Sequence, residues 1–60
     1  MPSDLTRRML KRFGVAVTDL EDAIDRRAPA EEIGQLDADL AVQMRETFAY
    51  VDQLRSRRIA

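Results

Sequence analysis

The side chains of this chain that could do chemistry are almost all carboxylates and guanidinium groups. The sequence holds no His and no Cys, so the commonest general base and the strongest nucleophile of proteins are both missing. Ser3 and Ser56 have no base at a spacing that would activate them, and the glycines form no phosphate-binding loop. The acidic residues fall on polar helix faces without the spacing of a calcium loop. We therefore predict that the chain is not an enzyme and uses no catalytic residue, cofactor, metal ion or small-molecule substrate.

Basic residues gather towards the two ends of the chain. Residues 1–13 carry a net charge of +3, residues 14–46 carry −6, and residues 47–60 carry +2, for a total of −1. This balance differs from that of a strongly basic nucleic-acid-binding domain. If the two ends meet in the fold, however, their basic residues would form one patch able to bind an acidic protein or a phosphate backbone. That candidate patch consists of Arg7, Arg8, Lys11, Arg12, Arg55, Arg57 and Arg58.

The first element that must position these groups is an amphipathic helix over about residues 4–27. Its apolar residues recur at helical spacing on one face, and either Ser3 or Asp4 can cap its start. Gly14, which costs about 1 kcal/mol in a helix, and the capping-box pattern Thr18–Glu21 leave open a break in this helix. The apolar residues keep their phase across Gly14, which favours a continuous helix. Its apolar face comprises Leu5, Met9, Leu10, Phe13, Ala16, Val17, Leu20, Ala23 and Ile24.

A turn at residues 28–30 is followed by a second helix over about residues 30–57. Pro29 suits the first helical position, where its missing N–H is not needed. Asp37 interrupts the apolar stripe of this helix, so an alternative is that the helix starts only at Asp37. The stripe itself consists of Ile33, Leu36, Leu40, Met44, Phe48, Val51 and Leu54.

Two long helices joined by a short turn predict an all-α fold, an antiparallel two-helix hairpin that forms one domain over residues 1–60. Turning about residue 28 or 29 would place Phe13 near Met44 and Leu10 near Phe48. A chain of this length buries only about 60% of the surface that it exposes when unfolded, and no disulfide is available to staple it. Self-association is therefore the expected source of additional stability.

The charge layout predicts the form that self-association takes. A hairpin brings its two basic ends together and leaves its acidic turn region at the far end, so like charges crowd at both ends. A second hairpin packed head-to-tail would place opposite charges together and yield a homodimeric four-helix bundle. The predicted interface with that copy or with another protein is a second face of the second helix, consisting of Ala38, Val42, Ala49 and Tyr50.

These patterns predict a small non-enzymatic protein–protein interaction module, which acts as a regulator, adaptor, inhibitor or chaperone through its helix faces. The alternative is a small dimeric nucleic-acid-binding regulator that uses the basic open end of the hairpin. Apolar runs such as Val15–Val17 are far too short to span a membrane, and the N-terminus lacks the features of a signal peptide. The sequence therefore favours a cytoplasmic protein without a membrane partner.

Overall fold

Two helices packed against each other make up the fold. The computed structural model describes residues 3–59, in which α1 spans Asp4–Asp25, α2 spans Ala30–Ile59 and no strand occurs. Residues 1, 2 and 60 of the predicted domain lie outside the described residues. The molecule measures 47 × 19 × 12 Å, so it is a single layer of two helices. The prediction of an all-helical hairpin is confirmed.

The start of α1 is capped by Ser3, whose Oγ accepts a hydrogen bond of 3.1 Å from the backbone N–H of Thr6. The helix then runs through Gly14 without a break. The hydroxyl of Thr18 donates to the carbonyl oxygen of Gly14 at 2.7 Å, so Thr18 bonds back to the preceding turn and does not start a new helix. The alternative of a break within α1 is therefore wrong.

The end of α1 falls two residues before the predicted one, because the chain closes in a Schellman motif. The N–H of Ala28 donates to the carbonyl of Ala23 at 2.9 Å, and the N–H of Arg27 donates to that of Ile24 at 3.1 Å. Arg27 adopts the left-handed conformation with a φ of 56°, a position that usually holds glycine. This reversal and the following Pro29 direct the chain into α2.

The start of α2 lies at the turn and not at Asp37, so the alternative of a late start is wrong. The carbonyl of Pro29 accepts a hydrogen bond of 3.1 Å from the N–H of Ile33. Glu31 and Glu32 lie in the first turn, where negative charge suits the helix dipole. The helix continues to residue 59, two residues beyond the predicted end.

A cross-helix contact between the hydroxyls of Thr6 and Tyr50 defines the register of the two helices. Counting forward along α1 and backward along α2 from this pair gives the inward residues, which recur at alternating spacings of three and four as in a coiled coil. All of them are buried or half-buried. They are Thr6, Met9, Phe13, Ala16, Leu20 and Ala23 on α1, and Ile33, Leu36, Leu40, Gln43, Thr47, Tyr50 and Leu54 on α2.

The inward row of α2 departs from the predicted stripe in its second half. Met44 and Phe48 are 38% and 59% exposed, whereas Gln43 is half-buried and Thr47 is only 9% exposed. The predicted stripe advanced by four residues three times in succession, and each such step rotates about 40° past a full turn. Contact with α1 instead follows the alternation of three and four. The prediction that Phe48 and Met44 pack against α1 is therefore wrong.

Candidate interaction surfaces

The interior of the hairpin contains few well-buried apolar side chains. Among the described residues, Ala23 is the only apolar residue that is fully buried, and no large side chain is. Several apolar residues that were predicted to face α2 remain largely exposed, including Leu5 at 51% and Leu10 at 60%. The two helices together therefore leave apolar surface that they cannot cover themselves.

One long side of the hairpin is charged. At the turn, an ion pair on this side links Arg26, the residue that caps the end of α1, to Glu32 in the first turn of α2. Residues seven positions apart lie on the same side of a helix in a packed pair of helices. Asp19 precedes Arg26 by seven residues and Asp39 follows Glu32 by seven, so both aspartates lie on the charged side. A shallow groove runs between the helices here. It is lined by Lys11, Arg12, Val15, Ala16, Asp19, Leu36, Asp39, Val42 and Gln43.

The opposite long side is apolar. Leu10, Val17 and Ile24 form a row along α1 at seven-residue spacing, each directly after an inward residue. In an antiparallel pair of helices, the residues that follow equivalent inward positions flank the same side, which places Met44 of α2 beside this row. Phe48 lies four residues after Met44 and therefore on the same side of α2. We define the apolar face as these residues with the half-buried Ala41 and Val51. The exposed fractions are 60% for Leu10, 59% for Phe48, 54% for Ile24, 43% for Val17 and 38% for Met44.

The open end of the hairpin carries the basic residues predicted to form a patch. All seven of them are exposed and lie on the helix segments that meet there, although they surround the end and do not share a single face. Two of them have acidic neighbours on their own helix. Arg7 lies 4.0 Å from Asp4, and Arg55 lies 3.5 Å from Asp52. Such exposed pairs contribute little to stability, so both guanidinium groups remain accessible to a ligand.

The second predicted interface is divided between two environments. Ala38, Val42 and Ala49 are exposed, and Val42 lines the groove on the charged side. Tyr50, in contrast, is half-buried in the inward row, where its hydroxyl contacts that of Thr6. Only the first three residues are thus available to a partner as an exposed surface.

Tyr50 has an altered acidity in this setting. Hydrogen bonding from the hydroxyl of Thr6, and then from that of Ser3, favours the phenolate and lowers the pKa of Tyr50 below its usual value of 10.0. Desolvation opposes this shift, and the positive charge of Arg57 adds to it. These groups tie the N-terminal turn of α1 to the last turns of α2.

Two polar side chains of the inward row were missed by sequence reasoning, which assigned polar residues to the outside. The Oε1 atom of Gln43 and the Oγ1 atom of Thr47 are buried and have no hydrogen-bond partner among residues 3–59. Buried polar atoms of this kind destabilise a fold unless they are satisfied. The alternating three- and four-residue spacing of the coiled-coil pattern is the signal that would have placed both residues inward.

Other kinds of site receive no positive support. Within residues 3–59, no group of three or more acidic residues is arranged to hold a metal ion. None of the helical segments described is long and apolar enough to cross a membrane. No family model, curated protein or solved structure matches the chain.

Proposed function

We propose that this chain is a non-enzymatic protein–protein interaction module that works by presenting helix faces, as a small regulator, adaptor, inhibitor or chaperone. The observation that carries this proposal is the apolar face, where five large side chains stand 38–60% exposed along one side of the hairpin. Full burial of such a side chain is favourable by about 1.5–3 kcal/mol. Covering the exposed half of five of them supplies a substantial driving force for association.

The working form that we propose is a homodimer in which two hairpins form a four-helix bundle. Support for this form comes from the thin, single-layer shape of the hairpin and from the small number of side chains that are fully buried between its helices. Sedimentation equilibrium at micromolar concentration tests it, because a dimer has twice the 6.9 kDa mass of one chain. A monomer that melts cooperatively and binds no other protein would contradict the proposal.

A second candidate function is nucleic-acid binding by the ring of seven exposed basic residues at the open end. Binding that depends on phosphate contacts weakens linearly on a plot of log affinity against log salt concentration, whereas docking of apolar helix faces does not. Changing Arg8 and Arg12 together to Glu should abolish such binding. Both residues lie off the apolar face, so the variant should keep the helicity and self-association of the wild type. A wild-type protein that binds no nucleic acid at low salt excludes this candidate.

A further inference from the structure

The apolar face carries a graded arrangement of charge from one end to the other. At the open end it is bordered by Arg7 of α1 and Arg55 of α2, both exposed. Towards the turn it is bordered by Glu21 of α1 and Asp37 of α2, which are exposed as well. Helical spacing places all four on this side, because each lies three or four residues from a member of the apolar face. The face is therefore basic at one end, apolar in its middle and acidic at the other end.

The middle of the same face is occupied by small residues. Gly14 of α1 and Ala41 of α2 lie at almost the same level in the register set by Thr6 and Tyr50. A Cβ atom placed on Gly14 would meet no other atom within 4 Å, so the backbone of α1 is open to an approaching helix at this point. These small residues form a shallow depression in the apolar face. Leu10 and Phe48 lie beside it towards the open end, and Val17 lies beside it towards the turn.

We propose that the occupant of the apolar face is a second copy of this chain, packed head-to-tail across a two-fold axis near Gly14 and Ala41. This inference rests on the proposed function and adds to the homodimer the face through which the two copies meet and the position of the two-fold axis. A two-fold axis at the middle of the face brings the basic border of each copy onto the acidic border of the other. Leu10 and Phe48 of one copy then lie over the turn-side half of its partner, where Val17 and Ile24 are exposed.

The charge order selects a second copy in this orientation over a parallel one. In a parallel pair, the basic border of one copy would meet the basic border of the other and the acidic borders would meet likewise, so both ends would repel. In the head-to-tail pair, Arg7 of one copy lies opposite Glu21 of the other, because both residues are equally far from Gly14 along α1. Charge complementarity of this kind sets orientation more than it sets affinity. The apolar middle of the face supplies the affinity.

A matched pair of valines on α1 provides the first test. Val15 and Val17 are 50% and 43% exposed, but Val15 lines the groove on the charged side and Val17 lies on the apolar face. Val17→Glu would bury an unpaired charge in the proposed interface and should weaken the dimer by about 100-fold. Val15→Glu should leave the dimerisation constant within about threefold of wild type. Circular dichroism checks that both variants remain helical.

A charge-reversal series tests the orientation. Arg7→Glu with Arg55→Glu makes both borders acidic, and Glu21→Arg with Asp37→Arg makes both basic. Each double variant should dimerise about tenfold more weakly than wild type at low salt. The quadruple variant reverses the whole gradient and should recover the wild-type dimerisation constant. In mixtures, the quadruple variant should form few heterodimers with the wild-type chain, because borders of the same charge would then face each other.

Sedimentation equilibrium of each variant distinguishes the failure of this inference from the failure of the proposed function. A wild-type dimer that survives Val17→Glu but is lost in Val15→Glu assigns self-association to the charged side and overturns the inference alone. A quadruple variant as weak as the double variants overturns the head-to-tail orientation. A wild-type chain that stays monomeric at every concentration overturns the second copy as occupant. That result contradicts the interaction-module proposal as well only under one further condition. The immobilised wild-type chain must then retain no protein from a cell extract that the Val17→Glu variant fails to retain.

Discussion

The hydroxyls of Thr6 and Tyr50 contact each other across the hairpin, 44 positions apart in the sequence. This contact connects the first turn of α1 to the last part of α2, where the apolar interior gives way to the charged open end. It therefore reports on whether the open end of the hairpin is closed. Because Tyr50 is the only tyrosine and the chain has no Trp, its spectroscopic signals can be read without interference.

The pKa of Tyr50 should lie below 10.0 in the folded protein, because the hydroxyls of Thr6 and Ser3 stabilise the phenolate. Absorbance of the phenolate during a titration measures this pKa directly. A depressed pKa means that unfolding takes up a proton, so this group should add stability as the pH rises through its folded pKa towards 10.0. Thr6→Val should move the pKa back towards its usual value. An unchanged pKa in that variant would show that the open end does not close through this contact.

Arg27→Gly should stabilise the hairpin. Arg27 has a φ of 56°, a conformation that costs a residue with a Cβ about 1 kcal/mol and costs glycine little. Its side chain is exposed, so its removal should take away little packing. The melting midpoint should therefore rise. The matched control is Arg26→Gly, which removes the ion pairs with Asp22 and Glu32 at a position with negative φ and should lower the midpoint.

Thr47→Val should also raise stability, by about 1 kcal/mol. The Oγ1 atom of Thr47 is buried without a hydrogen-bond partner, and valine replaces it with a methyl group of similar shape. Both residues are β-branched, so helix propensity changes little. Urea denaturation measures the difference. Thr18→Val is the control, because the hydroxyl of Thr18 is exposed and already bonded to the carbonyl of Gly14; a gain there as large as at Thr47 would contradict the explanation.

The two phenylalanines should respond differently to truncation. Phe13 is half-buried in the inward row, and Phe48 is 59% exposed on the apolar face. Phe13→Ala should lower the melting midpoint at every protein concentration, with a loss of up to about 3 kcal/mol. Phe48→Ala should matter only at concentrations where the chain self-associates. Equal losses for both variants under dilute conditions would place Phe48 inside the hairpin, as the sequence pattern predicted.

Val42→Glu and Ala49→Glu examine the other predicted interface. Both residues are exposed, and Val42 lines the groove on the charged side. If a second protein docks on this side of α2, each variant should weaken its binding while the helicity and the self-association of the chain stay intact. Pull-down from the native cells, followed by mass spectrometry of the retained proteins, measures this effect. Two variants that retain the same proteins as wild type would exclude this side as the contact.

Local sequence signals were sufficient to predict the two helices and the turn between them. Helical spacing, Ser3 as a cap and Pro29 after the turn were enough, because they act over a few neighbouring residues. The patterns also indicated the polarity of each end of the hairpin, since net charge along a helix follows directly from residue order. The end of α1 was misplaced by two residues, because the left-handed conformation of Arg27 is not visible in a residue type that rarely adopts it.

The side of α2 that meets α1, in contrast, depends on how the two helices pack against each other. Hydropathy favoured Met44 over Gln43 and Phe48 over Thr47 as core residues. Two rigid helices in antiparallel contact, however, touch only along a line set by their mutual crossing. That line passes through Gln43 and Thr47, and it turns Met44 and Phe48 out to the apolar face. The hydropathy of a helix indicates how much apolar surface it carries. Which part of that surface stays exposed and accessible to a partner depends on the packing of the two helices.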